Sequence, residues 1–258
     1  MRVTFLGSGT STGVPVITCD CAVCLSDDPR DCRLRPSILM EWDNASILVD
    51  TSTDLRQQAL RHRIERVDAV LYTHHHADHV LGLDELRLYN WRQRGPVPVY
   101  GSARTLDALR RTFWYVFDSA ETGHTRPAID PRPVDSPFEL HGVDIVPVPV
   151  LHGGLEILGY RLGRFAYLTD VSVIPESSYG LLHGLDVLVL SALRPRPHPT
   201  HLSLAQAVDE ASRIGARRTL LTHMSHEMPH GEISGNLPQG VELAFDGLTF
   251  EVQADGGS

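Results

Sequence analysis

The feature that most limits what this chain can fold into is Thr73-His74-His75-His76-Ala77-Asp78-His79, an H-x-H-x-D-H run. It follows Val67-Asp68-Ala69-Val70-Leu71-Tyr72 directly, a segment whose β-branched and aromatic content suits a buried strand. Val80, Leu81, Leu83 and Leu86 come next and predict a helix opening at Asp78 and His79. Imidazole nitrogens and carboxylates are ligands for zinc, manganese and iron, and His74, His76, Asp78 and His79 are too many for one small ion approached from one side. Two metals are the natural reading, with His74 and His76 turned to one and Asp78 and His79 to the other. The competing reading is a histidine-rich surface loop or an adventitious metal tract. The placement between a strand and a helix argues against it.

A chain of 258 residues can bury the core of one large α/β domain, and no composition shift marks a second one, so residues 1–258 are read as a single unit. The net charge of −9 argues against general binding of nucleic acid or anionic membrane, although metal ions in a cleft would reverse the sign locally. Met1-Arg2-Val3-Thr4-Phe5-Leu6-Gly7 enters a strand pattern without a signal-peptide core, and no apolar run is long enough to span a bilayer. A cytoplasmic protein is expected. Three of the four cysteines crowd together as Cys19-Asp20-Cys21-Ala22-Val23-Cys24, a spacing that in an intracellular protein points to metal and away from disulfides.

Along the chain, Val3–Leu6 reads as a short strand opening into Gly7-Ser8-Gly9-Thr10-Ser11-Thr12-Gly13-Val14-Pro15, which lacks the lysine of a P-loop. Ser37–Trp42 and Ala45–Val49 read as a hairpin turning at Asp43-Asn44, with Asp50 at its end and no visible partner for that carboxylate. Helical spacing appears at Leu55, Ala59 and Leu60, and again at Leu106, Leu109, Phe113 and Val116, a stripe read as core. Val143–Val150, Gly159–Leu168, Asp186–Leu190 and Arg218–Thr222 read as strands, followed by His152, Asp170 and His223. Ser203 and Gln206 make a capping box for a helix with Leu204, Ala207, Val208, Ala211 and Ile214 inward. Strands and helices thus alternate around isolated polar residues at strand ends, where open α/β folds place their ligands.

The order H-x-H-x-D-H, then lone His152, Leu-Thr-Asp at Asp170 and Thr-His at His223 resembles the motif series of the metallo-β-lactamase superfamily. The resemblance implies an α/β four-layer αββα sandwich with two metals, zinc or manganese, at one edge between the sheets. It implies His74, His76 and His152 on one ion, Asp78, His79 and His223 on the other, and Asp170 between them. Asp50 resembles the superfamily's early aspartate, which supports the ligand loop from behind. Phe5-Leu6-Gly7-Ser8-Gly9-Thr10 through Pro15, with Cys19, Cys21 and Cys24, narrows the resemblance to the branch holding the phosphodiesterase of the carbon–phosphorus lyase pathway. There a cysteine loop, here at about 15–36, carries a separate structural zinc, and the fourth ligand implied is His226. The C-terminal Leu237-Pro238-x-Gly240-x-Glu242-x-x-Phe245-Asp246-Gly247 also fits. Cys32 has no assigned partner.

His201, in Thr200-His201-Leu202-Ser203, resembles an extra histidine shared by that branch and the transfer-RNA 3′-processing nucleases. A histidine at a helix entrance can protonate a departing alkoxide or stabilise charge on a phosphoryl oxygen. His201, expected to protonate the leaving oxygen, forms the expected catalytic set with Asp78 and Asp170. The expected activity is dinuclear phosphodiester hydrolysis on a small substrate, a cyclic ribose phosphate or cyclic nucleotide, by paired ions that lower the pKa of a shared water. The resemblance also implies a homodimer. Rival readings are a transfer-RNA processing nuclease, disfavoured by the acidic charge and the lack of a basic arm; a thioester or lactone hydrolase on the same metal frame; and a metal-binding module without catalysis.

Overall fold

The computed structural model describes residues 1–43, 45–118 and 125–253. The chain first lays down β1 (Arg2–Gly7), β2 (Ser37–Trp42), β3 (Ala45–Val49), β4 (Ala69–Leu71), β5 (Val97–Gly101) and β6 (Ile129–Pro133). It then forms β7 (Phe138–Leu140), β8 (Val143–His152), β9 (Leu155–Leu162), β10 (Phe165–Leu168), β11 (Val187–Ser191), β12 (Arg218–Thr222) and β13 (Val241–Leu243), and ends on β14 (Thr249–Glu251). Among the described residues these make two seven-stranded sheets, ordered β14-β1-β2-β3-β4-β5-β6 and β13-β12-β11-β10-β9-β8-β7. In each sheet one half is antiparallel, and the other half, from β3 to β6 and from β10 to β13, is parallel.

The strands alternate which face they bury, as a period of two requires. Ile38, Met40, Ile47, Val49, Phe165, Tyr167, Val187 and Val189 meet between the sheets in a central core. Their neighbours point outward instead: Leu48 and Val70 pack under α1 (Leu55–His62), α3 (Leu86–Gln93) and α4 (Ala103–Thr112). Leu188, Leu190 and Leu221 pack with Ala207 and Ile214 of α7 (Leu204–Ile214) and Ile233 of α8 (His230–Ser234). Three apolar layers separate four layers of secondary structure, the expected αββα sandwich. Among the described residues the other α-helices are single turns: α2 (Ala77–Val80), α5 (Trp114–Phe117) and α6 (Glu176–Tyr179).

Several local expectations are corrected. Gly159–Leu168, read as one strand, is the end of β9, a turn at Gly163 and Arg164, and β10; the apolar residues on both sides of the turn conceal it in the sequence. α1 buries Leu55 and Gln58, not Leu60, because the Gln58 amide donates to the Arg35 carbonyl, and Leu60 is left 64% exposed. The helix predicted around Leu106–Val116 breaks at Phe113 into α4 and α5, with the whole stripe still buried. The helix that Asp78 opens is one turn long and passes into a 3₁₀ segment, Leu81–Glu85. Asn44 of the expected hairpin turn lies outside the described residues.

Candidate metal centre

One rim of the sandwich receives the C-terminal ends of strands from both sheets. There the chain leaves β3 into Asp50, β4 into Thr73–His79, β8 at His152, β10 into Asp170 and β12 into His223. The two sheets are tied at this rim by Leu158 N–H donating to the Thr73 carbonyl and by the Tyr160 hydroxyl donating to the Tyr72 carbonyl.

Ring nitrogens of His74, His76 and His152 all lie within 4.8 Å of one another, and so do ligand atoms of Asp78, His79, Asp170 and His223. A third set, His152, Asp170 and His201, overlaps both. Asp170 is the shared member: one carboxylate oxygen is 3.1 Å from His79 Nε2, the other is 3.1 Å from His223 Nε2 and 3.7 Å from His201 Nδ1. His152, a member of both the His74 set and the Asp170–His201 set, joins the two clusters.

The imidazoles are held from behind. His79 Nδ1 donates to Asp50, His152 Nδ1 donates to the Thr200 carbonyl at 2.7 Å, and His74 Nδ1 lies 3.0 Å from the Thr73 hydroxyl. Meanwhile Nε2 of His74, His79 and His223 is buried without an aligned hydrogen bond. In His74 and His79 one nitrogen is fixed and the other is turned, without an aligned hydrogen bond, toward the buried ligand cluster, and in His223 neither ring nitrogen has an aligned partner; this arrangement suits cation binding, so these residues fit a divalent metal. Thr73 and Thr200 were not singled out from sequence; only the contact between Thr200 and the distant His152 reveals the second. His76 is exposed and marks the mouth of the site.

Asp50, Asp170 and His223 share one backbone feature, φ of 62°, 58° and 59°, in the left-handed region that non-glycine residues seldom occupy. Each is the first residue or nearly so beyond its strand, and the left-handed turn redirects the chain there. Strain of this kind gathers at functional sites.

Electrostatics carry the same message. Burial opposes charge on His79, but Asp78, Asp170 and Asp50 surround it and hold its pKa well above the usual imidazole range. Burial likewise opposes charge on His223, yet Asp170 and Asp78 raise its pKa to about 9. His223 and His79 in turn outweigh burial at Asp170 and keep its carboxyl well below the ordinary range. Without metal the buried carboxylates are therefore balanced by protons on two histidines, which a divalent cation would displace. His201 behaves oppositely: burial and the neighbouring His223 pull it down to about 3, so it stays neutral.

A second cluster forms where the cysteine loop meets the segment after β12. The Cys19, Cys21 and Cys24 sulfurs lie 3.2, 3.4 and 3.6 Å from His226 Nδ1. Metal bonds of about 2.3 Å to sulfur and 2.0–2.1 Å to nitrogen place tetrahedral S···N pairs near 3.5 Å, so the four residues fit one zinc. The Cys24 backbone N–H draws the Cys21 thiol down to about 6, while burial pushes the Cys24 thiol up to about 11, so without metal Cys21 is the member of the cluster held as thiolate. Glycines make the approach of this region possible: a Cβ at Gly9 would sit 2.9 Å from the Arg33 carbonyl, while Gly9 pairs with Met224 beside His223. Cys32 stands apart and exposed.

A family model described as a beta-lactamase superfamily domain matches residues 45–224. The chain belongs to the metallo-β-lactamase superfamily. Within this superfamily it stands close to the PhnP family: a crystal structure of a diphosphatase from that family is 46% identical, with 98% of each chain covered and a TM-score of 0.92. An octanoyltransferase of Porphyromonas gingivalis is 40% identical over 262 residues, which are 99% of this chain and 52% of that protein. Coenzyme PQQ synthesis protein B of Rhodopseudomonas palustris is 30% identical over 205 residues, 72% of this chain and 61% of the relative. The chain thus spans about half the length of the first relative and three fifths of the second. As a superfamily member it carries a metal-binding hydrolase fold, and among the described residues no helix is long and apolar enough to cross a membrane.

Proposed function

We propose that this superfamily member is a dinuclear metal-dependent phosphodiesterase acting on small substrates, with residues 1–258 working as one hydrolase unit. The observation that carries the reading is Asp170, whose two oxygens reach toward His79 and His223 while its carboxylate also lies within ligand range of His152. Under this reading His74, His76 and His152 hold one ion, Asp78, His79 and His223 hold a second, and Asp170 is common to both. When bound, the pair supplies Lewis-acid charge for phosphoryl oxygens and lowers the pKa of water. Cys19, Cys21, Cys24 and His226 hold a third ion, a zinc with a structural role, because four protein ligands leave no open position.

The chain's own residues do the rest. His76 at the mouth has its ring 5.0 Å from that of His152, and His201 flanks the same histidine. The ring of His201 lies 4.6 Å from that of His152 and 4.9 Å from that of His223. Kept neutral, His201 serves as a hydrogen-bond donor to charge building on a phosphoryl or leaving oxygen, the second of the two roles expected of it. The 46% identical neighbour is a diphosphatase, which supports extending the substrate class from cyclic phosphates to diphosphates, since both present a phosphorus with an oxygen leaving group.

The test is purified protein loaded with zinc or with manganese and offered bis(p-nitrophenyl) phosphate, adenosine diphosphate, an acyl thioester, a lactone and transfer RNA. Cleavage of the phosphorus substrates is expected. Turnover of thioester or lactone alone, or cleavage of transfer RNA alone, would replace the proposal with the corresponding rival.

A further inference from the structure

Arg33, near the end of the cysteine loop, is a buried charge that the catalytic reading leaves unused. Its side chain is 0% exposed. A guanidinium so enclosed costs the fold free energy unless its donors are met. Two of them go to residues 192 and 195 positions further along the chain: Nη1 donates to the Ser225 carbonyl at 3.0 Å and Nη2 to the Met228 carbonyl. Nη2 also donates to Asp31 at 3.0 Å, and Nε to the Arg30 carbonyl at 3.2 Å. Burial pulls the guanidinium below its ordinary pKa range, and the Asp31 carboxylate works against that shift.

Ser225 and Met228 stand on either side of His226, and only Met224 separates Ser225 from His223. The rest of this segment is gripped by other protein groups. Met224 N–H donates to the Ser8 carbonyl and Thr10 N–H donates to the Met224 carbonyl, both at 3.0 Å. His230 N–H donates to Asp31 Oδ1 at 2.8 Å, the oxygen that Arg33 also meets. The segment that carries one ligand of each metal set is therefore shaped by residues that belong to neither. An apolar side chain could fill the space of Arg33 without holding a carbonyl, and a lysine would offer one point of charge in place of a planar fork. We infer that Arg33 is a positioning residue common to both metal sets: by fixing the carbonyls around His226 it sets that imidazole toward Cys19, Cys21 and Cys24 and, through Met224, sets His223 toward Asp78 and Asp170. This rests on the metal reading given above and deepens it, because the segment takes its ligating shape before any ion arrives. Loss of the ion from the cysteine set then leaves His223 where it is.

The experiment titrates the metal-free full chain with Co²⁺ alone. Thiolate-to-cobalt charge transfer in the near ultraviolet reads the cysteine set, and the further cobalt retained against a graded chelator reads the rim. In R33K both affinities are expected to fall about tenfold or more, measured well below the melting temperature of the variant, where a merely structural role would leave them alone. Unchanged affinity at either set overturns the inference. Should R33K not fold, Asp31→Ala, which frees the His230 N–H and one Arg33 donor, must show the same paired loss. Wild-type protein that takes up no cobalt beyond the thiolate-bound ion removes the two-ion reading, which is a separate failure, and hydrogen exchange in metal-free protein then decides the role of Arg33. The amides of Met224, Met228 and His230 are expected to exchange slowly in the wild type and about tenfold faster in R33K. Fast exchange in the wild type, or equal exchange in the two proteins, overturns it.

Discussion

Asp50 Oδ2 lies 2.7 Å from His79 Nδ1, and both side chains are wholly enclosed. The same carboxylate accepts from the backbone N–H and hydroxyl of Thr73, so one buried anion fixes both ends of the histidine loop. Burial raises the Asp50 pKa, and the His79 and Thr73 donors offset part of that cost.

Removing this anchor should loosen the metal before it unfolds the protein. Asp50→Ala is expected to weaken metal affinity about 10–100-fold, as loss of a residue supporting a ligand does. Each buried donor left behind at Thr73 and His79 adds about 1–3 kcal/mol of destabilisation. Elemental analysis after dialysis against a graded chelator, together with thermal melting, reads both effects. Unchanged metal retention would show that Asp50 acts only on the fold.

For His201 the prediction separates two roles. If a neutral N–H donor is what the site needs, His201→Ala should cut kcat by about 10²–10³ on phosphodiesters, and His201→Gln should recover a measurable part of it. A general acid would behave otherwise, with both variants equally slow on esters of poor leaving groups and nearly unimpaired on p-nitrophenyl esters. Steady-state kinetics on an aryl and an alkyl diester distinguish the two.

How far the sequence carries depends on distance along the chain. Strands were readable as continuous apolar runs wherever both faces are buried, as in Ile47, Leu48 and Val49, and the capping box of Ser203 and Gln206 was readable because its partners are three residues apart. The H-x-H-x-D-H run announced a metal site by residue type alone. What stayed hidden depends on neighbours remote in sequence. The Thr200 carbonyl meets His152 across 48 residues, and Gln58 displaces Leu60 from the core only because Arg35 offers it a carbonyl. His152, Asp170, His223 and His226 were reached through family resemblance, since a single polar residue after a strand carries no signal of its own.

The cysteine cluster should behave as a unit distinct from the rim. Cys24→Ser is expected to remove one zinc per chain and to lower the melting temperature, while the remaining metals stay bound. Inductively coupled plasma analysis alongside calorimetric melting checks this. Full zinc content in the variant would mean that the thiols are merely packed together.

Metal uptake at the rim should depend on pH. His223 has a folded pKa of about 9, above its unfolded value of about 6.5, so in metal-free protein its proton contributes stability that is fully present below about 6.5 and lost as pH rises through about 9. Metal must displace that proton, so affinity should climb between those limits. Chelated protein should lose melting temperature across pH 6.5–9 while loaded protein does not. Calorimetry in buffers of different ionisation heat should show proton release on binding.

The left-handed turns at Asp50, Asp170 and His223 bear on how this protein tolerates change. Glycine would relieve about 1–2 kcal/mol of backbone strain at each of them, yet it would also take a carboxylate or an imidazole from the rim, and at Asp50 it would strand the Thr73 and His79 donors at about 1–3 kcal/mol apiece. The side chains thus keep in place the strained backbone that presents them, which makes these three positions poor targets for engineering and good sites for detecting a copy that has given up its chemistry.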